Sequence, residues 1–235
     1  MIIRLDKFLA DLGYGTRKEV KKLIRKSKAI TINGVVITSD GYKVDTTKDE
    51  VYFDDQLLVY EQYYYFMLNK PAGYISARED SSFPTVIDLI DVPDRRKLFP
   101  VGRSDIDTTG LLIITNDGLL AHNNLSPKKH VFKEYFLTYD GTLLSNTKEM
   151  FENGIKLDDT LITKPASIEL LDDNQAIVRI REGKFHQVKR MIEACNGKVT
   201  TLKRIKFGDI TLDESLSEGE YRPLTDEEIE SLRNN

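Results

Sequence analysis

The sequence predicts an α+β protein in two parts: a small basic helix-and-strand module, then a larger domain on a mostly antiparallel mixed sheet. Three observations carry this. Apolar residues recur at helical spacing near the start of the chain, short β segments bounded by turn residues follow, and beyond Phe66 further β segments are mixed with helical stretches.

From the N-terminus, Leu5, Phe8, Leu9 and Leu12 mark a first helix that GYGT breaks. Thr16 is placed to cap a second helix, with Glu19 at the capping-box position. That helix turns Val20, Leu23 and Ile24 inward and leaves Arg17, Lys18, Lys21, Lys22, Arg25 and Lys26 as a cationic outer stripe. AITINGVVI reads as two strands joined at Asn33-Gly34, a dipeptide that tolerates the positive φ of a tight hairpin. Alternation in KVDTTKDEVYFDDQLL completes a module over residues 1–58, and a polar link near Glu61-Gln62 fills 59–64. The remainder, 65–235, carries strands at YFMLN, LLIIT, YFLTYDG, ASIELL and QAIVRI. Helices are expected at SNTKEMFENGI, KFHQVKRMIEACN and TDEEIESLRN.

The 235 residues suffice for one large domain or for a small and a medium one, each with its own core. Overall charge is mildly acidic, but the charges segregate. Residues 1–28 hold nine Lys/Arg against three acids, and Arg179 to Lys206 holds nine against two. Two such blocks point to surfaces facing a polyanion. The single Cys195 excludes an intrachain disulfide and a cysteine-rich metal site, and His122, His130 and His186 lack ligand spacing. A reducing, cytoplasmic setting is the expectation. No apolar run approaches the roughly 20 residues of a membrane span, so no membrane partner is expected.

The stretch VGRSDIDTTGLLIITNDG sets acids against a buried aliphatic run. Asp105 and Asp107 share a face if the segment is extended, and not necessarily if it turns. Spacing alone favours structural roles, with Asp107 in a side-chain-to-backbone turn with Thr108 and Thr109, and Asp105 as a partner for Arg103.

RLDKFLA, TRKEVKKLIRKSKAITINGVVI and YKVDTTKDEV resemble an S4 RNA-binding domain, the αL-type module. That resemblance implies that the helix bearing Arg17, Lys18, Lys21, Lys22 and Arg25 meets the backbone of structured RNA. LNKPAGYISA, VGRSDIDTTGLLIITNDG, FKEYFLTY and REGKFHQVKRM follow in the order of the motifs of RsuA/RluB-type pseudouridine synthases, from about Phe66 to Leu224. The family's essential carboxylate falls on Asp105, its uracil-facing tyrosine on Tyr135, and its basic partner of the aspartate on Lys189. Without the motif, Lys189 would read as part of a solvated basic helix face. The resemblance further implies RNA contacts at Arg103, Lys128 within Ser126–His130, Lys133, His186 and Arg190. Ser104 stands where the family usually has Leu, a change expected to touch packing or hydrogen bonding only.

The implied reaction turns uridine within RNA into pseudouridine: the N1–C1′ bond breaks, the uracil rotates and C5 joins C1′. No external group transfers, so neither a small-molecule cofactor nor a metal is expected. A carboxylate facing the sugar either stabilises the positive charge that develops there or takes a proton from C2′. DIDTTGLL, SPKKH, TKPA, HQVKRM and GEYRPLTDEEI resemble the small-subunit (16S) branch more than the large-subunit one. The implied partner is therefore ribosomal RNA or the pre-ribosomal small subunit, met by a monomer. The alternatives are a large-subunit (23S) rRNA synthase, a non-catalytic RNA-binding assembly factor and an RNA N-glycosidase.

Overall fold

The computed structural model describes residues 1–60, 62–92, 95–126, 129 and 131–234. The chain forms two compact units, Met1–Gln62 with Asp91–Lys97, and Tyr63–Ile90 with Leu98–Asn235.

In the first unit, β1 (Ile2–Arg4) leads into α1 (Leu5–Asp11) and α2 (Arg17–Lys26), followed by β2 (Ile30–Ile32), β3 (Val35–Val36), β4 (Lys43–Asp45), β5 (Val51–Phe53) and β6 (Gln56–Leu58). Local chemistry sets these elements. The Thr16 hydroxyl accepts from the Glu19 N–H, and the Glu19 carboxylate accepts from the Thr16 N–H at 2.8 Å, closing the capping box. Asn33 and Gly34 both take positive φ, 50° and 80°, at the β2–β3 turn. Phe8, Leu9, Val20, Ile24, Ile30, Ile32 and Val51 form the core beneath β2–β5–β6, each such side chain contributing about 1.5–3 kcal/mol on burial. The cationic stripe is partly committed: Arg17 and Lys21 pair with the buried Asp6, which Arg4 also holds, while Arg25 pairs with Asp40. Lys18 and Lys22 are exposed and carry no ion pair among the described residues.

The second unit is built on one sheet. Among the described residues its strands are β7 (Tyr65–Lys70), β8 (Phe99–Pro100), β9 (Thr109–Thr115), β10 (Lys133–Gly141), β11 (Ser167–Leu170), β12 (Gln175–Ile180), β13 (Gly197–Phe207), β14 (Ile210–Thr211) and β15 (Tyr221–Pro223). The main order is β11-β12-β10-β13-β9-β7-β15, with β14 on β13 and β8 on β9. All pairings are antiparallel except β13 with β9, giving the expected mixed, mostly antiparallel sheet. The helices are α3 (Gly118–Leu125), α4 (Thr147–Asn153), α5 (Gln187–Ala194) and α6 (Asp226–Asn234). One core packs Met67, Leu111 and Ile113 with Leu120 and Leu232; another packs Leu137 and Val178 with Phe151, Met191 and Ile192. Leu111 to Ile114 are all buried, as a run apolar on both faces requires of an internal strand.

β13 has no counterpart among the strands expected from sequence. Its Lys and Arg residues mark a charge block and mask the alternation beneath, yet this 11-residue strand is central and joins β10 to β9. Arg204 from that block is buried and donates to the Leu111 carbonyl at 2.6 Å. The parallel pairing explains Gly110: its φ is +91°, and a Cβ there would lie 2.3 Å from the Arg204 carbonyl oxygen.

Candidate active site

The loop from Val101 to Thr108 enters β9 and carries Asp105. A turn closes it, with the Thr108 N–H donating to the Asp105 carbonyl at 3.1 Å. LNKPAGYIS braces this loop from below. Ser76 Oγ accepts from the Ser104 N–H at 3.0 Å and donates to the Ser104 carbonyl at 3.2 Å. Position 104 is therefore held by its backbone, which either Ser or Leu supplies. Lys70 is 1% exposed, and its ammonium donates to the carbonyls of Thr108 at 2.8 Å, Pro71 at 3.0 Å and Ile106 at 3.3 Å. Burial pulls the Lys70 pKa down to about 8, although Asp107 and Asp105 work to raise it.

The second wall is the segment before α5. His186 adopts a left-handed conformation (φ 48°, ψ 33°), costing about 1–2 kcal/mol, at the N-cap of α5. Gln187, 3% exposed, holds the segment: its amide oxygen accepts from the Lys184 N–H at 2.9 Å and its nitrogen donates to Glu182 at 3.0 Å. The first turn of α5 then presents Lys189, whose ammonium lies 3.2 Å from Asp105 Oδ2 and 2.6 Å from Asp107 Oδ1. Burial acts to lower the Lys189 pKa, but the two carboxylates outweigh it, so the amine is held above its ordinary value and stays charged. For Asp107, burial is likewise outweighed by Lys189 and the carboxyl lies below its ordinary value. Asp107 thus pairs with Lys189 instead of serving the side-chain-to-backbone turn expected from DIDTT; the backbone closes that turn.

Asp105, Tyr135, Arg103 and His186 line one polar cavity with Thr108, Lys184 and Val188. Tyr135 reaches it from β10. His186 Nε2 is 3.7 Å from Asp105 Oδ1. The cavity holds about 60 Å³, well under the roughly 300–1,000 Å³ of a formed small-molecule pocket. A roomier cavity of about 540 Å³, with Phe132, Lys164, Arg179 and Arg181 on its wall, contains neither Asp105 nor Tyr135. Chemistry favours the smaller one, where a carboxylate, a cation and an aromatic ring converge.

The other residues expected at an RNA surface are placed as follows. Lys133 donates to the Val131 carbonyl at 3.1 Å and lies over the Phe207 ring, and burial pulls its pKa to about 8. Arg190 pairs with Asp158 at 2.7 Å. Lys128 lies outside the described residues, as do Pro127 and His130. Sequence reasoning missed Lys70, Ser76, Lys184 and Gln187. Only Lys70 carried a local signal, as a lone charge ending the apolar strand YFMLN.

Comparison with known proteins shows the family. Residues 3–51 match the S4 domain and residues 64–194 match the RNA pseudouridylate synthase family. The class is thus an enzyme that isomerises uridine in RNA, preceded by an S4 module. The chain belongs to the RNA pseudouridylate synthase family. It is 45% identical to ribosomal small subunit pseudouridine synthase A of Haemophilus influenzae, over 98% of this chain and 99% of that protein. It is 40% identical to the protein of the same name from Escherichia coli K12, over 98% and 100%. A Bacillus subtilis protein described as an uncharacterized RNA pseudouridine synthase is 42% identical over 98% of both chains. A crystal structure of a pseudouridylate synthase superposes with a TM-score of 0.70 at 45% identity, over 98% and 99% of the two chains.

Proposed function

We propose that this enzyme converts a uridine of small-subunit (16S) ribosomal RNA to pseudouridine, with Asp105 as the reacting carboxylate. The observation that carries the reading is the Asp105–Lys189 pair at 3.2 Å on a cavity that Tyr135 also lines. Full-length likeness to two small-subunit synthases supports the choice of RNA.

In this reading the target uridine leaves its stack, and the Tyr135 ring supplies an aromatic face for the uracil. Asp105 faces the sugar while the glycosidic bond breaks. Lys189 sets a cation beside Asp105 at 3.2 Å, with Asp107 sharing it at 2.6 Å. The Tyr135 hydroxyl handles the C5 proton after C5 has joined C1′. The enzyme works as a monomer in the cytoplasm on free ribosomal RNA or a pre-ribosomal small subunit. Among the described residues, no helix is long and apolar enough to cross a membrane.

The test is to map pseudouridines in both ribosomal RNAs of a deletion strain, then assay purified protein on the affected RNA for pseudouridine and released uracil. One small-subunit pseudouridine should vanish, and the protein should restore it without releasing uracil. Loss confined to large-subunit RNA would move the enzyme to the sister branch. Free uracil would make it an N-glycosidase, and no product of either kind would make it an assembly factor.

A further inference from the structure

Phe185 is 76% exposed, more than any other Phe or Tyr among the described residues. A ring left largely in water gains little from folding. This one lies flat on the His186 imidazole, with ring centroids 3.8 Å apart and planes 18° apart. His186 is itself fixed by the left-handed backbone that starts α5, and its Nε2 points to Asp105 at 3.7 Å. The order outward is therefore Asp105, His186, Phe185. His186 lines the cavity and Phe185 does not, so Phe185 presents an apolar face just outside it.

We propose that Phe185 forms a base-stacking subsite for the nucleotide adjoining the target uridine, resting on the reading that the cavity takes that uridine. Extruding one base leaves its neighbour with an unstacked face, and an exposed ring at the cavity mouth replaces the lost contact. Lys184 and Arg103, both on the cavity wall, are cations within the same region for the phosphates of that strand. Because any base has a π face, the subsite supplies register and affinity more than sequence choice.

The chain contains no tryptophan, so Phe185→Trp installs a single reporter at the subsite. Its emission should be quenched when the small-subunit RNA substrate binds, and the quench should weaken when one neighbour of the target is made abasic. Phe185→Ala should raise KM for that RNA by roughly 5- to 100-fold, with the loss concentrated in KM over kcat. Phe185→Tyr should restore most of it and Phe185→Leu should not, separating stacking from mere apolarity. The proposal is overturned if the indole emission of the Phe185→Trp protein is unchanged at saturating RNA, or if the Ala variant keeps the wild-type KM, or if Leu substitutes fully for Phe. It is equally overturned if emission responds to RNA-free ribosomal proteins and not to the substrate RNA, naked or assembled. Wild-type protein run in parallel separates the two readings. Failure of the wild type to form pseudouridine sinks the functional assignment, whereas wild-type turnover with indifferent Phe185 variants sinks only the subsite.

Discussion

The buried Lys70 ammonium donates to the Thr108 carbonyl oxygen over 2.8 Å, so a charge with almost no contact with solvent fixes the end of the loop that presents Asp105. Lys70→Met keeps most of the volume and removes both the buried charge and the donor. The unpaired carbonyls cost about 1–3 kcal/mol each, and relief of the desolvated charge offsets much of this. Thermal stability should change little while turnover falls at least about tenfold, because the loop loses its clamp. Wild-type turnover in this variant would reduce Lys70 to a filler.

The same residue gives a pH signature. Its folded pKa, about 8, lies below the ordinary 10.5, so between those values the unfolded chain binds more protons. Stability from this group therefore rises as pH climbs from about 8 toward 10.5, and Lys133 acts in the same direction. Activity should move the opposite way as the clamp loses its charge. Melting temperature and single-turnover rate measured across that window should move oppositely in wild type, and in Lys70→Met the rise in melting temperature should shrink to the Lys133 contribution.

Lys189 is shared, with its shorter contact to Asp107. Asp105→Asn should give a folded protein that still binds RNA and forms product about 10²–10⁴-fold more slowly. Asp107→Asn should free Lys189 to close on Asp105, leaving substantial activity. Loss of product in Asp107→Asn equal to that in Asp105→Asn would mean that the two carboxylates act as one unit.

In the first unit, Asp6 is fully buried among Arg4, Arg17 and Lys21. Burial acts to raise its pKa, but the arginines prevail and hold it at about 2. A depressed carboxyl stabilises the fold above the unfolded value of 3.8, and this is lost as pH falls toward 2. Asp6→Asn should cost about 1.5–3 kcal/mol near neutrality through its charged hydrogen bonds and flatten acid unfolding between those limits. Circular dichroism followed against pH would show it.

Local signals explain what the sequence made legible. The Thr16–Glu19 capping box, the Asn33-Gly34 turn and the aliphatic strand at Leu111–Ile114 are each decided within a few residues, and each formed as read. Helical periodicity also placed Arg17, Lys21 and Arg25 on one outer face, but it could not place Asp6 and Asp40 opposite them. The same limit applies at the site. Asp107 meets a lysine 82 positions away, and Lys70 meets carbonyls nearly 40 positions away, so neither role exists until the sheet assembles. Position 105 was singled out through the resemblance of its motif, since spacing alone favoured a structural partner for Arg103.

Tyr135 extends this to a residue whose chemistry rests on one atom. Its ring lines the cavity from β10, with Val178 and Arg204 as its register partners. Tyr135→Phe preserves the aromatic face and removes only the hydroxyl, whereas Tyr135→Leu removes the face as well. If the ring stacks and the hydroxyl moves a proton, Phe should keep RNA affinity within about twofold while turnover falls by about 10²-fold or more. Leu should weaken affinity in addition, by roughly the 1–3 kcal/mol of a base–aromatic contact. A uridine deuterated at C5 sharpens the comparison, because slowing proton removal makes that step visible in the rate. The isotope effect should grow in Tyr135→Phe, where the proton waits for solvent. An isotope effect and turnover both unchanged from wild type would leave Tyr135 as a stacking surface and assign the proton to another group in the cavity.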